Sequence, residues 1–450
     1  MPRLKRLLKR HFRKSKVNKF RSFNIRCKSY LSLRRQQLYL IYLSIKQSFV
    51  DKVTKINIWY VKCKWPFRLA LKAFVLILGG LLLNESIFSK VNVSFLSPTQ
   101  GFFDVQLSDY WVSFAHKSNN KSYKSPFTLV DITGLERTEL ANLLNLIAGY
   151  DPSVVGLDVF LERTGNKAEN ILLKQALLCQ KQLVLAIRLT KTGKPIPLSP
   201  TFQDINTKGV TNFIALDSTS VIRFIPTGIL KQNQYSFAAV IAAKYNPSTL
   251  IKYNKRLNDR ERIYYAANLD YINVTAKQLL AITDTLSLKY WLKNRIVLLG
   301  NIGLEADSRL LQDIHFTPKN TTYVGRSFPD TYGTIIHLYA ADALIRGEYF
   351  NESPYWLNLV LVFTGIVVSL LVDRHISSRF TDKPIVAELL LGLVTFFGLS
   401  MLAIGYLICY TWFKFVFDDD FFIKLIALSF LVDKVITKLI TLLYNYINKN

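Results

Sequence analysis

The chain is predicted to fold as an extracytoplasmic α/β domain with a mostly parallel sheet, carried by transmembrane helices, one before the domain and about three after it. Three observations predict this. A strand–helix–strand pattern runs from Phe127 to Phe160, long charge-free apolar segments follow residue 355, and a dense basic block sits directly before an earlier apolar segment. Among the 450 residues, 58 Lys and Arg oppose 31 Asp and Glu, and residues 1–66 alone hold 19 of those basic residues against one acid, Asp51. A basic block placed against an apolar segment is a topological signal, whereas nucleic-acid binders spread charge over a folded surface.

The basic tail, residues 1–66, is therefore read as cytoplasmic. It could hold anionic lipid headgroups, and nothing in it carries catalytic chemistry. The first span covers residues 67–88, with a short apolar core from Ala73 to Leu83 and with Lys72 reaching back toward the basic side. No small-residue cleavage site follows it, so it reads as an anchor.

Residues 89–355 form the outer domain. Leu129, Val130 and Ile132 surround Asp131. Leu140, Leu143, Leu144 and Ile147 then recur at helical spacing, and Val154, Val155, Leu157 and Val159 make the next strand. Strands joined by a crossover helix lie parallel and bury both faces, which suits these nearly continuous apolar runs. Asp131 and Asp158 then stand at the carboxyl ends of their strands, the edge at which open α/β sheets bind ligands. A helix over Asn170–Leu178 and a strand over Leu183–Leu189 come next, followed by a loop from Thr190 to Gln203. Gly209–Leu216 and Val221–Ile225, with Asp217 and Ser218 between them, predict a hairpin. Beyond lie a small-residue helix at Phe237–Tyr245, a charged excursion from Lys252 to Arg262 and a strand at Ile263–Val274. A core strand then ends at Gly300 within Trp291–Asn301, and the last helix of the domain is expected at Thr334–Arg346.

The second span is placed at residues 356–372 and the third at 389–413, joined by a cytoplasmic loop, 373–388, that holds Arg374, Arg379 and Lys383. An outer loop at 414–420 and a fourth span at 421–440, with Lys424, Asp433 and Lys434 to accommodate, lead to a tail at 441–450. An interfacial amphipathic helix is the alternative for that last segment. Of the cysteines, Cys27 and Cys63 fall on the cytoplasmic side, Cys409 falls in a span, and Cys179 is alone in the outer domain, so that domain relies on its apolar core.

Residues 90–440 resemble the second type of the CHASE family, sensory extracellular domains associated with cyclases and histidine kinases. The likeness rests on Leu129-Val130-Asp131, on Arg137 with Ala141 and Leu144, on Gly156 through Phe160, and on Leu183 to Ala186. It continues in Gly209, Asn212, Asp217 and Arg223, in Val297 through Gly300 with Asp307, and in Pro329 and Gly333 before His337 and Ala340. Three departures stand out. Thr133 replaces a usual acid, the Trp-Pro segment before Arg137 is missing, and Glu169-Asn170 occupies a place where Asp is common. After the last span only Lys438 to Asn450 remains, where relatives commonly carry an output module.

The resemblance implies a multi-pass protein of the bacterial inner (plasma) membrane that binds a small ligand outside and signals through its spans to a separate output protein. Ligand contacts are expected from Asp131, Asp158, Gly300, Asp307 and His337, with no catalytic residue, no metal and no cofactor. Membrane lipid is the other expected partner, a homodimer is left open, and nucleic acid is not expected. A structural, protein-binding membrane protein is the alternative. A lesser one is a hydrolase in which Asp131, Asp158, Asp307, Asp313, His315 and His337 meet around Mg²⁺ or Ca²⁺. Arg137, about one turn past Asp131, is expected to be its ion-pair partner.

Overall fold

The computed structural model describes residues 122–417, apart from 164, 191, 214–220, 227–233, 257, 305–312 and 320–328, together with Gln106, Ser108, Asp109, Trp111 and Val112. The basic tail, the first and fourth predicted spans and Asp307 lie outside the described residues.

The chain opens with β1 (Ser122–Asp131), α1 (Arg137–Ala148), β2 (Val154–Leu157), α2 (Lys167–Leu178), β3 (Leu183–Ile187) and β4 (Lys208–Val210). An excursion follows through β5 (Phe224–Pro226), α3 (Phe237–Tyr245), α4 (Pro247–Arg256) and β6 (Arg260–Arg262). The chain re-enters the sheet with β7 (Asn268–Thr275), α5 (Ala276–Ala281), α6 (Thr285–Leu292) and β8 (Ile296–Gly300). It ends with β9 (Ile314–His315), β10 (Thr331–Tyr332), α7 (Gly333–Arg346), β11 (Asn351–Glu352), α8 (Tyr355–Arg379), α9 (Pro384–Trp412) and β12 (Phe415–Val416).

Six strands form one sheet in the order β4-β3-β2-β8-β1-β7, every pairing parallel. The crossovers β1 to β2, β2 to β3 and β7 to β8 all step through the sheet in the same direction. Right-handed connections therefore place their helices on one face. On that face α1, α2, α5 and α6 bury Leu143, Leu144, Leu173, Leu279 and Leu292 against Val155, Leu157, Val297 and Leu299. The opposite face is left to α3 and α7, which pack Phe237, Ile241, Ile336 and Ala340 on Leu129, Val154, Ile296 and Leu298. Alternation along β8 feeds both layers, which is why its sequence is apolar without a break.

Four elements differ from expectation. The hairpin at Gly209–Ile225 does not form: β4 joins β3 at the sheet edge, and β5 pairs antiparallel with β6. Gly209 permits this, because a Cβ there would sit 2.5 Å from the Cα of Phe237, so α3 lies directly on the strand. The charged excursion overlaps a helix, α4, which buries Thr249 and Tyr253 and exposes Ile251 beside its basic residues. The strand expected at Ile263–Val274 is shorter: β7 starts only at Asn268, because Tyr265, Ala266 and Ala267 turn into the core between β6 and β7. Two short helices, α5 and α6, were not foreseen; Thr275 and Asp284 cap them, with Thr275 Oγ1 accepting from Gln278 N at 3.2 Å and Asp284 accepting from Leu286 N at 3.0 Å.

Helix α7 is buried around nearly its whole circumference, including Thr334, His337 and Asp342. It ends at Gly347, whose φ of 73° is the left-handed conformation that closes a helix. Helices α8 and α9, of 25 and 29 residues, are long and apolar enough to cross a membrane and expose Trp356, Phe363, Phe396, Phe397, Met401 and Ile408 along their lengths. At their domain-side ends β11 pairs with β12 in parallel, and the ring of Phe350 stacks on that of Tyr410 at 4.9 Å.

Candidate functional site

The carboxyl ends of β1, β8 and β2 lie side by side, and each contributes one of the expected residues. Asp131 pairs in register with Gly300, and Asp158 donates its backbone N–H to the Leu299 carbonyl at 2.8 Å, so Gly300 stands between the two carboxylates. A side chain on Gly300 would collide with Thr334 on α7. The absent Cβ lets the first turn of α7 close over the edge of the sheet.

The two carboxylates have different surroundings. Asp131 is buried, and its oxygens accept from Thr133 N at 3.0 Å, Thr133 Oγ1 at 2.5 Å, Ile302 N at 3.2 Å and Leu304 N at 2.7 Å. These bonds tie the loop after β1 to the loop after β8. Arg137 is not its partner, contrary to expectation: the guanidinium reaches across to Asn170 Oδ1 and to the Arg163 carbonyl. Main-chain amides already satisfy Asp131, so the arginine is free to pin α2 and the loop before it.

Asp158 is only partly satisfied, accepting from Thr334 Oγ1 at 2.8 Å. Burial, and then the nearby Asp313 carboxylate, push its carboxyl up to about 7, with the Thr334 hydrogen bond and His315 acting the other way. Asp313 packs against the start of α7, where a Cβ on Gly333 would sit 2.9 Å from both of its carboxylate oxygens. It also pairs with His315 Nε2 at 3.2 Å. The His315 and Phe213 rings meet in a T-shaped contact at 5.3 Å between centroids, and Phe213 stacks on His337 at 4.6 Å. His337 is 2% exposed, its Nδ1 has no hydrogen-bond partner among the described residues, and burial with the charge of His315 holds the ring's pKa down to about 3.

The structure thus gathers Asp158, Gly300 and His337 with Asp313 and His315, and places Asp131 next to them in a joining role. Sequence reasoning missed Thr334 and Phe213 as members. Thr334 was legible only as the start of a helix, and Phe213 fell in a segment expected to form a hairpin. Among the described residues, no three His, Cys, Asp or Glu side chains converge closely enough to hold a metal ion. A separate shallow groove of about 560 Å³ lies beside the end of β7, lined by Asn273, Thr275, Lys277, Gln278, Ala281 and Leu304, and it does not enclose this cluster. Further along α7, Lys319 Nζ donates to Tyr339 Oη at 2.9 Å, and burial lowers the lysine to about 8.

No curated protein and no solved structure matches the chain. The family model described as the CHASE2 domain matches residues 101–372, which takes in the whole sheet, the edge cluster and α7, and continues into α8. With a parallel α/β core in that region and two apolar helices from its end onward, the chain belongs to the CHASE2 domain family.

Proposed function

We propose that this protein is a membrane-anchored sensor whose outer domain binds a small ligand at the carboxyl edge of the sheet and passes the event to its spans. Membership of the CHASE2 family suggests an extracellular sensing role. The observation that carries the rest is the bond from Thr334 Oγ1 to Asp158, because it fastens the first turn of α7 to the candidate site. From there α7 runs to Arg346, and α8 begins at Tyr355. Arg256 bonds the Phe350 carbonyl in that short link, and Lys414 pairs with Glu348 at 3.4 Å, so the connection is braced on both sides. A ligand can move such a path only by contacting one arrangement better than another, and Asp158 is the group through which it would do so.

In this reading α8 and α9 cross the membrane as a hairpin, with Arg374, Arg379 and Lys383 at the cytoplasmic turn. The protein has no enzymatic role of its own, and its output lies in a separate partner. Testing requires the full chain in lipid nanodiscs and a chemically diverse compound set. A compound that raises the thermal midpoint in the wild type and not in Asp158→Asn supports the sensor. Turnover of any compound would replace it with the hydrolase, and no Asp158-dependent response would leave the structural, protein-binding reading.

A further inference from the structure

The groups that meet at the edge site share one chemical character. The Asp313 carboxylate opposes the charge on Asp158, and among the described residues the titratable groups bearing on Asp158 are Asp313 and His315. Thr334, from α7, faces the same carboxylate with a single hydroxyl. His337, one turn further along α7, is a neutral imidazole whose buried Nδ1 has no partner among the described residues, and in the Nε2–H tautomer that nitrogen is an acceptor. Phe213 provides an aromatic face between the two histidines. The mouth is accessible, since the side chains of Asp313 and His315 are 46% and 32% exposed.

We infer that the edge site takes a small organic ammonium ion, with Asp158 and Asp313 as charge partners, Nδ1 of His337 as a neutral acceptor and Phe213 as the wall for its hydrocarbon part. This rests on the sensor reading of the same site and narrows its ligand. An ammonium group supplies several N–H donors to two carboxylates and an imidazole nitrogen, and a cation beside an aromatic face is attracted by the ring quadrupole. It relieves the repulsion between the two carboxylates, which an anion would worsen. A bare divalent ion fits less well, because the described residues offer no convergent ligand set. Binding a cation requires Asp158 ionised, so affinity rises with pH until that carboxyl has lost its proton and falls about tenfold per unit below that point.

The test uses the full chain in phosphatidylcholine nanodiscs at pH 8, with thermal midpoints read in propylammonium chloride, in sodium propionate and in magnesium chloride at matched ionic strength. Propylammonium is expected to raise the midpoint saturably, and propionate and magnesium are not. The effect should vanish in Asp158→Asn/Asp313→Asn, weaken about tenfold in Phe213→Leu, and persist in the surface control Asp204→Asn. Each variant's own midpoint without probe shows that it is folded. No shift with propylammonium overturns the inference. If propionate instead gives an Asp158-dependent shift, the cation assignment fails while the sensor site stands. A propylammonium shift that survives both Asn substitutions means that the cation binds elsewhere, and the assignment of this edge fails with it.

Discussion

The hydroxyl of Thr334 donates to Asp158 across 2.8 Å, joining the end of β2 to the first turn of α7 over a Gly300 that has no side chain to keep them apart. Removing only the donor tests what this bond contributes. Thr334→Val keeps the shape, and a neutral-to-charged hydrogen bond of this kind is worth about 1–3 kcal/mol. The variant should unfold at lower temperature, and the Asp158 carboxyl should rise further above 7, since the lost bond favoured its ionised form. Thermal midpoints compared between pH 6 and pH 9 would check both: the loss should be larger at pH 9.

Asp158 and His337 should pull stability in opposite directions with pH. A carboxyl raised from 3.8 to about 7 contributes stability that is present below 3.8 and lost as pH rises through 7. A histidine lowered from 6.5 to about 3 contributes stability that is present above 6.5 and lost as pH falls through 3. Between about pH 4 and 6.5 the two slopes offset each other. Asp158→Asn should therefore gain stability relative to wild type as pH rises from 4 to 7, by on the order of 3 kcal/mol, and His337→Phe should lose stability relative to wild type over the same range. Denaturant midpoints at half-unit pH steps would show it, and parallel curves for all three proteins would disprove it.

Gly300 is fixed by packing. Gly300→Val forces a branched side chain into Thr334 and should prevent stable folding, and Gly300→Ala should cost about 1–3 kcal/mol. Because the obstacle is the Thr334 side chain, Gly300→Ala/Thr334→Ala should recover part of that loss. Additive destabilisation in the double variant would place the strain elsewhere.

Asp131→Ala should leave three main-chain amides, those of Thr133, Ile302 and Leu304, without this acceptor, at a cost of about 2–4 kcal/mol. Its effect on ligand response should be no larger than the loss of folded protein accounts for. A stable variant with an abolished response would make Asp131 a direct contact.

Topology can be tested without a ligand. Alkaline phosphatase fused at residue 250 should be active and fused at residue 378 inactive, because Arg374 and Arg379 at the end of α8 and Lys383 just before α9 gather the basic charge at that end of the two helices. The reverse pattern would discard the orientation.

The strands around the site were legible because each is a short, mostly apolar run that ends at an aspartate or a glycine. Asp158 and Gly300 could be placed from that alone. What strand ends do not reveal is which carboxylate main-chain amides already occupy, and so Asp131 and Asp158 looked equivalent. The satisfied state of Asp131 depends on Ile302 and Leu304, more than 170 residues away in the chain. Arg137 misled for the same reason, its partners being set by the fold of the loop at Arg163 and not by its distance from Asp131 along the helix. The order β2-β8-β1 was equally hidden, since the last strand inserts between the first two and brings α7 onto the face that the crossover helices leave open.

The parallel pairing of β11 with β12 constrains how anything can leave the domain. Asn351–Glu352 precedes α8 and Phe415–Val416 follows α9, so the ladder clasps the two rods at one end like the pivot of a pair of tongs. A pull on α8 is delivered to α9 through the same pivot, and the two cannot slide past one another at that end without breaking it. In the proposed sensor reading, what would reach the far side is a swing or a twist of the two rods together, largest at the Phe380–Lys383 tip, so an output protein would have to grip that tip to feel it.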